Sequence, residues 1–526
     1  MKRILLKAAV GVGMAISASA AMAFDPSTTA PDYTVFISGS SAVSPTVLSY
    51  TIDTVCDHSA DVSVFRRSSG NGFGNDWGVA CKISTANTGV STARNVLILK
   101  RDAGGSGYGV TPVTNATALD VIQTGSTSGN CPNAPTTQTT ANGTSYNQYV
   151  CNSGNVSLIP DAGFSDVEPD KFRGFNAPGG LPDFNAANAL PFQAQPVAAL
   201  VFGIPVSKNL RDALQAVQFP KSSACNPVNA GYASSGETEA CMPSLTKQEI
   251  SMLYVGGIHN WDSFLVTDPS NPSGAKIPLA TALNNDSQYA ALGIVPTDHK
   301  VEICRRTPGS GTQATLGIEF LNAPCDPNAV PPLASPGNPF LGPVVAENSG
   351  ASDVSRCLDD FSNGTNNSGQ NSTNTHRWAA GVEFTADYDA SHFDWRFVKI
   401  SGVAPTIQNV AAGHYPYYSE ESFQWRTDIT TLHNATTTSD KNDTVTLMQF
   451  IASNAVTPSA LAAINTSYAY SWGQGGWLAI PGTFTPSNPF NINNPVNTST
   501  RAPFGNGPNT CQPPITVTSV PVDGPF

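Results

Sequence analysis

Val301-Glu302-Ile303-Cys304-Arg305-Arg306-Thr307-Pro308-Gly309-Ser310-Gly311-Thr312 is the stretch on which the fold turns. Val301 to Cys304 predict a strand, and Gln313 to Leu321 predict the helix behind it. Between them, glycines let the backbone approach a ligand and aim successive N–H groups at one point. Ser310 and Thr312 add hydroxyl donors, the helix start adds a positive partial charge, and Arg306 offers a fork of donors for a tetrahedral oxyanion. The spacing and the missing terminal lysine exclude a nucleotide-binding P-loop.

Working outward, the same strand-then-turn arrangement recurs. Thr34 to Ile37 lead into Ser38-Gly39-Ser40-Ser41, and a helix opens at Pro45. Val62 to Phe65 lead into Arg66-Arg67-Ser68-Ser69-Gly70, and Val96 to Leu99 into Lys100-Arg101-Asp102-Ala103-Gly104-Gly105-Ser106. Gln195 to Pro205 is almost continuously apolar and reads as a strand buried on both faces. Thr246 with Glu249 three residues on is a capping box that starts a helix. A further helix is expected over Asp443 to Ser453, and residues 362–376 read as a mobile surface loop. Strands alternating with helices predict an α/β fold whose ligand sits at the strand C-terminal ends.

The N-terminus reads as an export signal: Lys2, Arg3 and Lys7, an apolar run, then Ala21-Met22-Ala23, with cleavage after Ala23. No membrane insertion is expected once it is removed. The ten cysteines are even in number, as in a disulfide framework, and proximity pairs Cys56 with Cys81, Cys131 with Cys151 and Cys225 with Cys241. Cys304, Cys325, Cys357 and Cys511 stay open. No cysteine or histidine spacing suits a metal, and a net charge of −12 excludes nucleic acid as a partner. No cofactor motif is present.

These segments resemble the phosphate-binding proteins of ABC importers, members of the type II periplasmic binding protein fold. Gly39-Ser40-Ser41-Ala42-Val43-Ser44-Pro45 is similar to the family's first ligand loop, Arg67-Ser68-Ser69-Gly70 to its second, and Phe164-Ser165-Asp166 to the segment bearing its ligand aspartate. Leu245 to Trp261 resembles the helix ending in Gly-x-Ile-x-x-Trp, Arg306 and Gly309 to Thr312 the fourth ligand loop, and Trp378 to Glu383 a late strand. The resemblance implies two lobes with mixed sheets, hinge strands and long disulfide-pinned loop insertions. Lobe 1 would take residues 24–200 and 385–490, with an inserted loop at about 110–160; lobe 2 would take 201–384, and 491–526 form a Pro/Asn-rich tail.

It implies a monomeric, non-enzymatic solute-binding protein of the periplasm or the exterior, holding phosphate or a related oxyanion and serving an ABC permease. Ser41, Ala42 through its N–H, Ser68 or Ser69, Ser310, Gly311 and Thr312 would donate, Arg306 would supply charge, and Asp166 would accept a ligand proton. Pro308 stands where the family often has an aspartate, which leaves the anion's identity open. Two alternatives compete: a surface or matrix protein that keeps the fold without the ligand, and a secreted phosphatase.

Overall fold

A computed structural model describes residues 24–26, 28–58, 62–67, 76–125, 130–132, 134–152, 154–502 and 507–517. The signal segment, Ser68 and Ser69 lie outside the described residues. The first part of the chain forms β1 (Tyr33–Gly39), α1 (Ser44–Tyr50), β2 (Ser63–Arg67), β3 (Trp77–Lys82), β4 (Asn95–Arg101), β5 (Ala162–Ser165) and β6 (Phe192–Ser207). Then come α2 (Lys208–Gln218), α3 (Lys247–Tyr254), β7 (Glu302–Arg306), α4 (Gly311–Leu321), β8 (Val344–Asn348), α5 (Ala351–Asn363), β9 (Ala379–Gly381), β10 (Trp395–Ile400), β11 (Tyr418–Arg426) and α6 (Thr438–Asn454).

Strand order shows two lobes built on one plan. In the first, the order is β4-β1-β5-β11-β6: β1 runs parallel to β4 and β5, and β11 lies antiparallel to β5 and β6. In the second, the order is β8-β7-β9-β6-β10: β7 runs parallel to β8 and β9, and β6 lies antiparallel to β9 and β10. Each lobe therefore places one antiparallel strand, entering from the other lobe, beside three parallel ones. This is the two-lobed, mixed α/β architecture that the sequence predicts.

β6 can serve both lobes because it is long and apolar, and it is buried from Val197 to Ser207. Its first half pairs with β11 and its last four residues with β10. Pro196 lacks an N–H for the ladder, and the register shifts between Pro196 and Ala198. The crossing point is marked by the Phe202 N–H, which donates to the Tyr417 carbonyl at 3.2 Å. One apolar core, from Val35 and Ile37 through Val201 and Phe202 to Ile303 and Trp378, continues through both lobes.

The capping box is present: Glu249 N–H donates to Thr246 Oγ1 at 3.1 Å, and Thr246 N–H donates to Glu249 Oε2 at 2.8 Å. The three disulfides expected from proximity are formed, and the remaining four cysteines pair as Cys304–Cys357 and Cys325–Cys511. The insertion after β4 is more regular than its composition suggests. Ser145–Cys151 extends the sheet by pairing parallel to β2, and Leu119–Ile122 forms a ladder with Asn155–Leu158. Residues 362–376 are also held rather than loose. Asp360 collects bonds from Thr365, Asn367 and Ser368, and the buried Asn371 side chain donates to the Asp360 and Thr375 carbonyls.

The chain's last described segment is a strap. Arg501 donates to Glu319 in the last turn of α4, to the Pro416 carbonyl and to the Thr510 and Gln512 carbonyls. Thr510 N–H and hydroxyl bind the Glu168 carboxylate, and Cys511 is bonded to Cys325. No single helix among the described residues is long and apolar enough to cross a membrane.

Candidate functional site

The C-terminal ends of β1, β4, β5 and β7 deliver their turns to one place. At its centre is Asp166, which follows β5 and is buried. Ser40 Oγ donates to Asp166 Oδ1 at 2.5 Å, and Thr312 Oγ1 donates to Oδ2 at 3.1 Å. One carboxylate thus receives a donor from each lobe. Asp166 N–H in turn donates to Ser106 Oγ at 3.2 Å.

The loop at Arg306 packs directly against this group. Ser310 is the N-cap of α4, its Oγ accepting from Gln313 N–H at 3.3 Å. At Gly311 an added Cβ would lie 2.3 Å from Ser106 Oγ and 2.7 Å from Asp166 Cβ, so only glycine permits the approach. The N–H groups of Gly311 and Thr312 belong to the first turn of α4, where an α-helix offers donors with no intrahelical partner. The Lys100–Ser106 turn enters the cleft: Gly107 N–H donates to the Gly309 carbonyl at 2.8 Å. Gly309 itself has φ +92°, a left-handed conformation that favours glycine.

Lys100 is fully buried and works inside the wall. Its Nζ donates to the Gly39 and Ser40 carbonyls at 3.1 and 2.8 Å and is paired with Asp102. Asp102 also accepts from Ser44 Oγ. The turn at Ser40 is thereby pinned from below. Ser41 is exposed, and the Ala42 N–H donates to Ser40 Oγ at 3.1 Å. Ser40, which was not singled out from the sequence, is the residue that reaches Asp166. Arg67, the last residue of β2, binds Asn155 Oδ1 at 2.6 Å and pairs with Asp76.

Arg306 lies buried in the second lobe, with Nη2 donating to the Ser349 carbonyl at 3.1 Å and Nε without a partner. Two carboxyls answer its charge. Burial pushes Glu383 well above the usual range, against the pull of Arg306, and neither of its oxygens has a partner. Desolvation raises Asp387 to about 6, against the pull of Arg306. Glu421 on β11 lies on the other side, fully buried beside Asp166. Sequence reading missed these acids because Glu383 and Glu421 reach the site through strand pairing, across long separations.

Among the described residues, no group of three or more His, Cys, Asp or Glu is arranged to hold a metal ion. The site offers hydroxyls, helix N–H groups and one guanidinium, set among carboxyls of which Glu383, Asp387 and Glu421 are raised by desolvation. Chemically, this suits an oxygen-rich ligand that both accepts and donates hydrogen bonds.

No family model matches the chain, and no curated protein matches it. It is similar to several solved substrate-binding proteins. One, from Clostridium perfringens, is assigned to a phosphate ABC transporter and contains bound phosphate. It is 13% identical, with a TM-score of 0.35, over 80% of this chain and 92% of that one. PstS from Borrelia burgdorferi is 10% identical with a TM-score of 0.30 over the same shares, 80% and 92%. An ABC-type phosphate transport receptor from Vibrio cholerae is 12% identical, with a TM-score of 0.28, over 55% and 74%.

Proposed function

We propose that this chain is an exported solute-binding protein that holds phosphate or a related protonated oxyanion between its two lobes. One observation carries the reading. The Asp166 carboxylate, an oxyanion itself, is held at the start of α4 by a hydroxyl from each lobe, so donors for oxygen are already aimed there. Arg306 supplies charge, Ser310, Gly311 and Thr312 supply donors, and Asp166 accepts a proton from the ligand. Sulfate, which carries no proton, would leave acceptor facing acceptor and is disfavoured. Ser41 and Ala42 complete the first-lobe wall. The protein acts as a monomer in the periplasm or beyond and hands its ligand to an ABC permease.

Five disulfides support an oxidising compartment. Binding rather than catalysis fits a site whose hydroxyls have carboxyls for neighbours and no histidine in their hydrogen bonds. Titration calorimetry with phosphate, arsenate and sulfate tests the reading. Saturable phosphate binding that weakens about 100-fold or more in Arg306→Ala is expected, since a charged hydrogen-bonding group is lost. Absence of phosphate binding by the wild type sinks it.

A second reading is a surface protein that keeps the fold without a ligand. It is favoured by the carboxyls Glu383 and Asp387 facing Arg306. Under it, neither phosphate nor sulfate changes the melting temperature of the wild type or of Arg306→Ala.

A further inference from the structure

β11 brings an acid to Asp166 that no motif announces. The register that pairs Ser422 with Ser165 sets Glu421 beside Asp166, one step further along both strands. Glu421 is fully buried, and neither of its oxygens has a geometric hydrogen-bond partner among the described residues. After burial, the neighbouring Asp166 carboxyl is what raises Glu421 most. Ser40 is near both acids, but its single hydroxyl proton goes to Asp166.

Neighbouring buried carboxylates disfavour each other's ionised form, and one proton shared between them relieves the repulsion. The other groups facing the pair do not remove the conflict. Lys100, at the end of β4, directs its ammonium to Gly39, Ser40 and Asp102. Asp387 adds negative potential at Asp166. Glu420, the preceding residue on β11, accepts from Arg501 N–H and so binds the strap.

We propose that Glu421 and Asp166 hold one proton between them, and that Glu421 is thereby the residue that sets the charge presented to a bound oxyanion. The proton count of the pair belongs to both residues together. With one proton present, Glu421 donates to Asp166, and Asp166 keeps an acceptor for the ligand's own proton. When the pair loses that proton, a second negative charge appears beside the site and repels the anion. Burial, followed by the neighbouring Asp166, holds the Glu421 carboxyl well above the usual carboxylate range. The second clause of the proposal rests on the oxyanion reading above.

The test compares wild type with Glu421→Gln, which keeps the shape and the donor but cannot ionise. Phosphate affinity is measured from about pH 5 to about pH 9, and the ratio of the two affinities cancels the ligand's own ionisation. The expected result is that the two converge at the acid end, with the variant about tenfold or more tighter at the alkaline end. A ratio constant with pH overturns the proposal.

Melting temperatures without ligand give a readout independent of binding. The folded wild type keeps a proton that the unfolded chain loses above about pH 4.3, so its stability falls as pH rises and the variant's advantage grows. Asp166→Asn, whose amide can donate to Glu421, moves this titration to lower pH and serves if Glu421→Gln does not fold. A melting difference indifferent to pH overturns the shared proton. If neither protein binds phosphate while the melting difference still grows, the shared proton stands and the oxyanion reading, with the charge-setting role, is overturned.

Discussion

Gly311 shows how closely the two lobes meet. Its missing side chain is the space that Ser106 and Asp166 occupy. Gly311→Ala should push those groups apart, costing about 1–3 kcal/mol of stability and most of the phosphate binding, read by thermal melting and calorimetry. Thr312→Val keeps the volume but removes one donor to the Asp166 carboxylate. Bonds to charged groups are worth roughly 1.5–3 kcal/mol, so a loss of about tenfold to 100-fold in affinity is expected. Arg306, Ser310, Gly311 and Thr312 could be put forward together from the sequence because they are neighbours and their spacing suggests the chemistry. Ser40 was quoted within its loop, but a turn's sequence does not say which of two serines points inward.

Two other acids set the protein's response to pH. Burial raises Glu302, despite its pairing with Arg377, to about 7. Burial likewise raises Glu420 to about 7, opposed by Thr500 and Arg501. Both folded values lie above the unfolded value of about 4.3, so their contribution is fully present below that pH and is lost as pH rises to about 7. Each is worth at most roughly 4 kcal/mol. The melting temperature should therefore fall from about pH 5 to about pH 7.5, and fall less in Glu420→Gln. A melting temperature that rises over this range contradicts the assignment.

At the scale of elements, legibility followed apolar content. β6 announced itself because eleven consecutive residues, Val197 to Ser207, are buried and nearly all apolar or small. β11 did not, although every residue from Tyr418 to Arg426 is buried. Its sequence is mostly polar, and it is stable inside the sheet because partners from elsewhere take up its side chains. Ser419 Oγ donates to the Asp166 carbonyl, Gln424 Nε2 to the Gly109 carbonyl, and Arg426 pairs with Asp161. Such satisfaction depends on tertiary contacts that no local pattern encodes. The start of α3 was legible because its cap is local. Thr246→Ala, which removes the side-chain half of the box, should cost about 1 kcal/mol in denaturant unfolding without altering ligand binding.

Across the whole molecule, the strap is a second link between the lobes, besides the hinge strands and the contacts at the site. It starts from β11 through Arg501, grips Glu168 two residues after Asp166, and is bonded to Cys325 beyond the end of α4. Its anchors therefore sit on both walls of the site. In a Cys325→Ser, Cys511→Ser double variant the segment after Arg501 should become open to limited proteolysis. The melting temperature should drop by an amount equivalent to at most about 5 kcal/mol, given the length of chain enclosed. An unchanged digestion pattern would show that the non-covalent contacts suffice.

The pairing order has a consequence for biogenesis. Cys56–Cys81, Cys131–Cys151 and Cys225–Cys241 each join consecutive cysteines, so oxidation as the chain emerges yields them directly. The next two to emerge, Cys304 and Cys325, are not partners: Cys304 must wait for Cys357, and Cys325 for Cys511. A strict first-come oxidase would join Cys304 to Cys325 and strand the other two. If the chain is exported as proposed and oxidised in order of emergence, a thiol reshuffling catalyst is needed, and a host cell lacking its disulfide isomerase should accumulate the mispaired form.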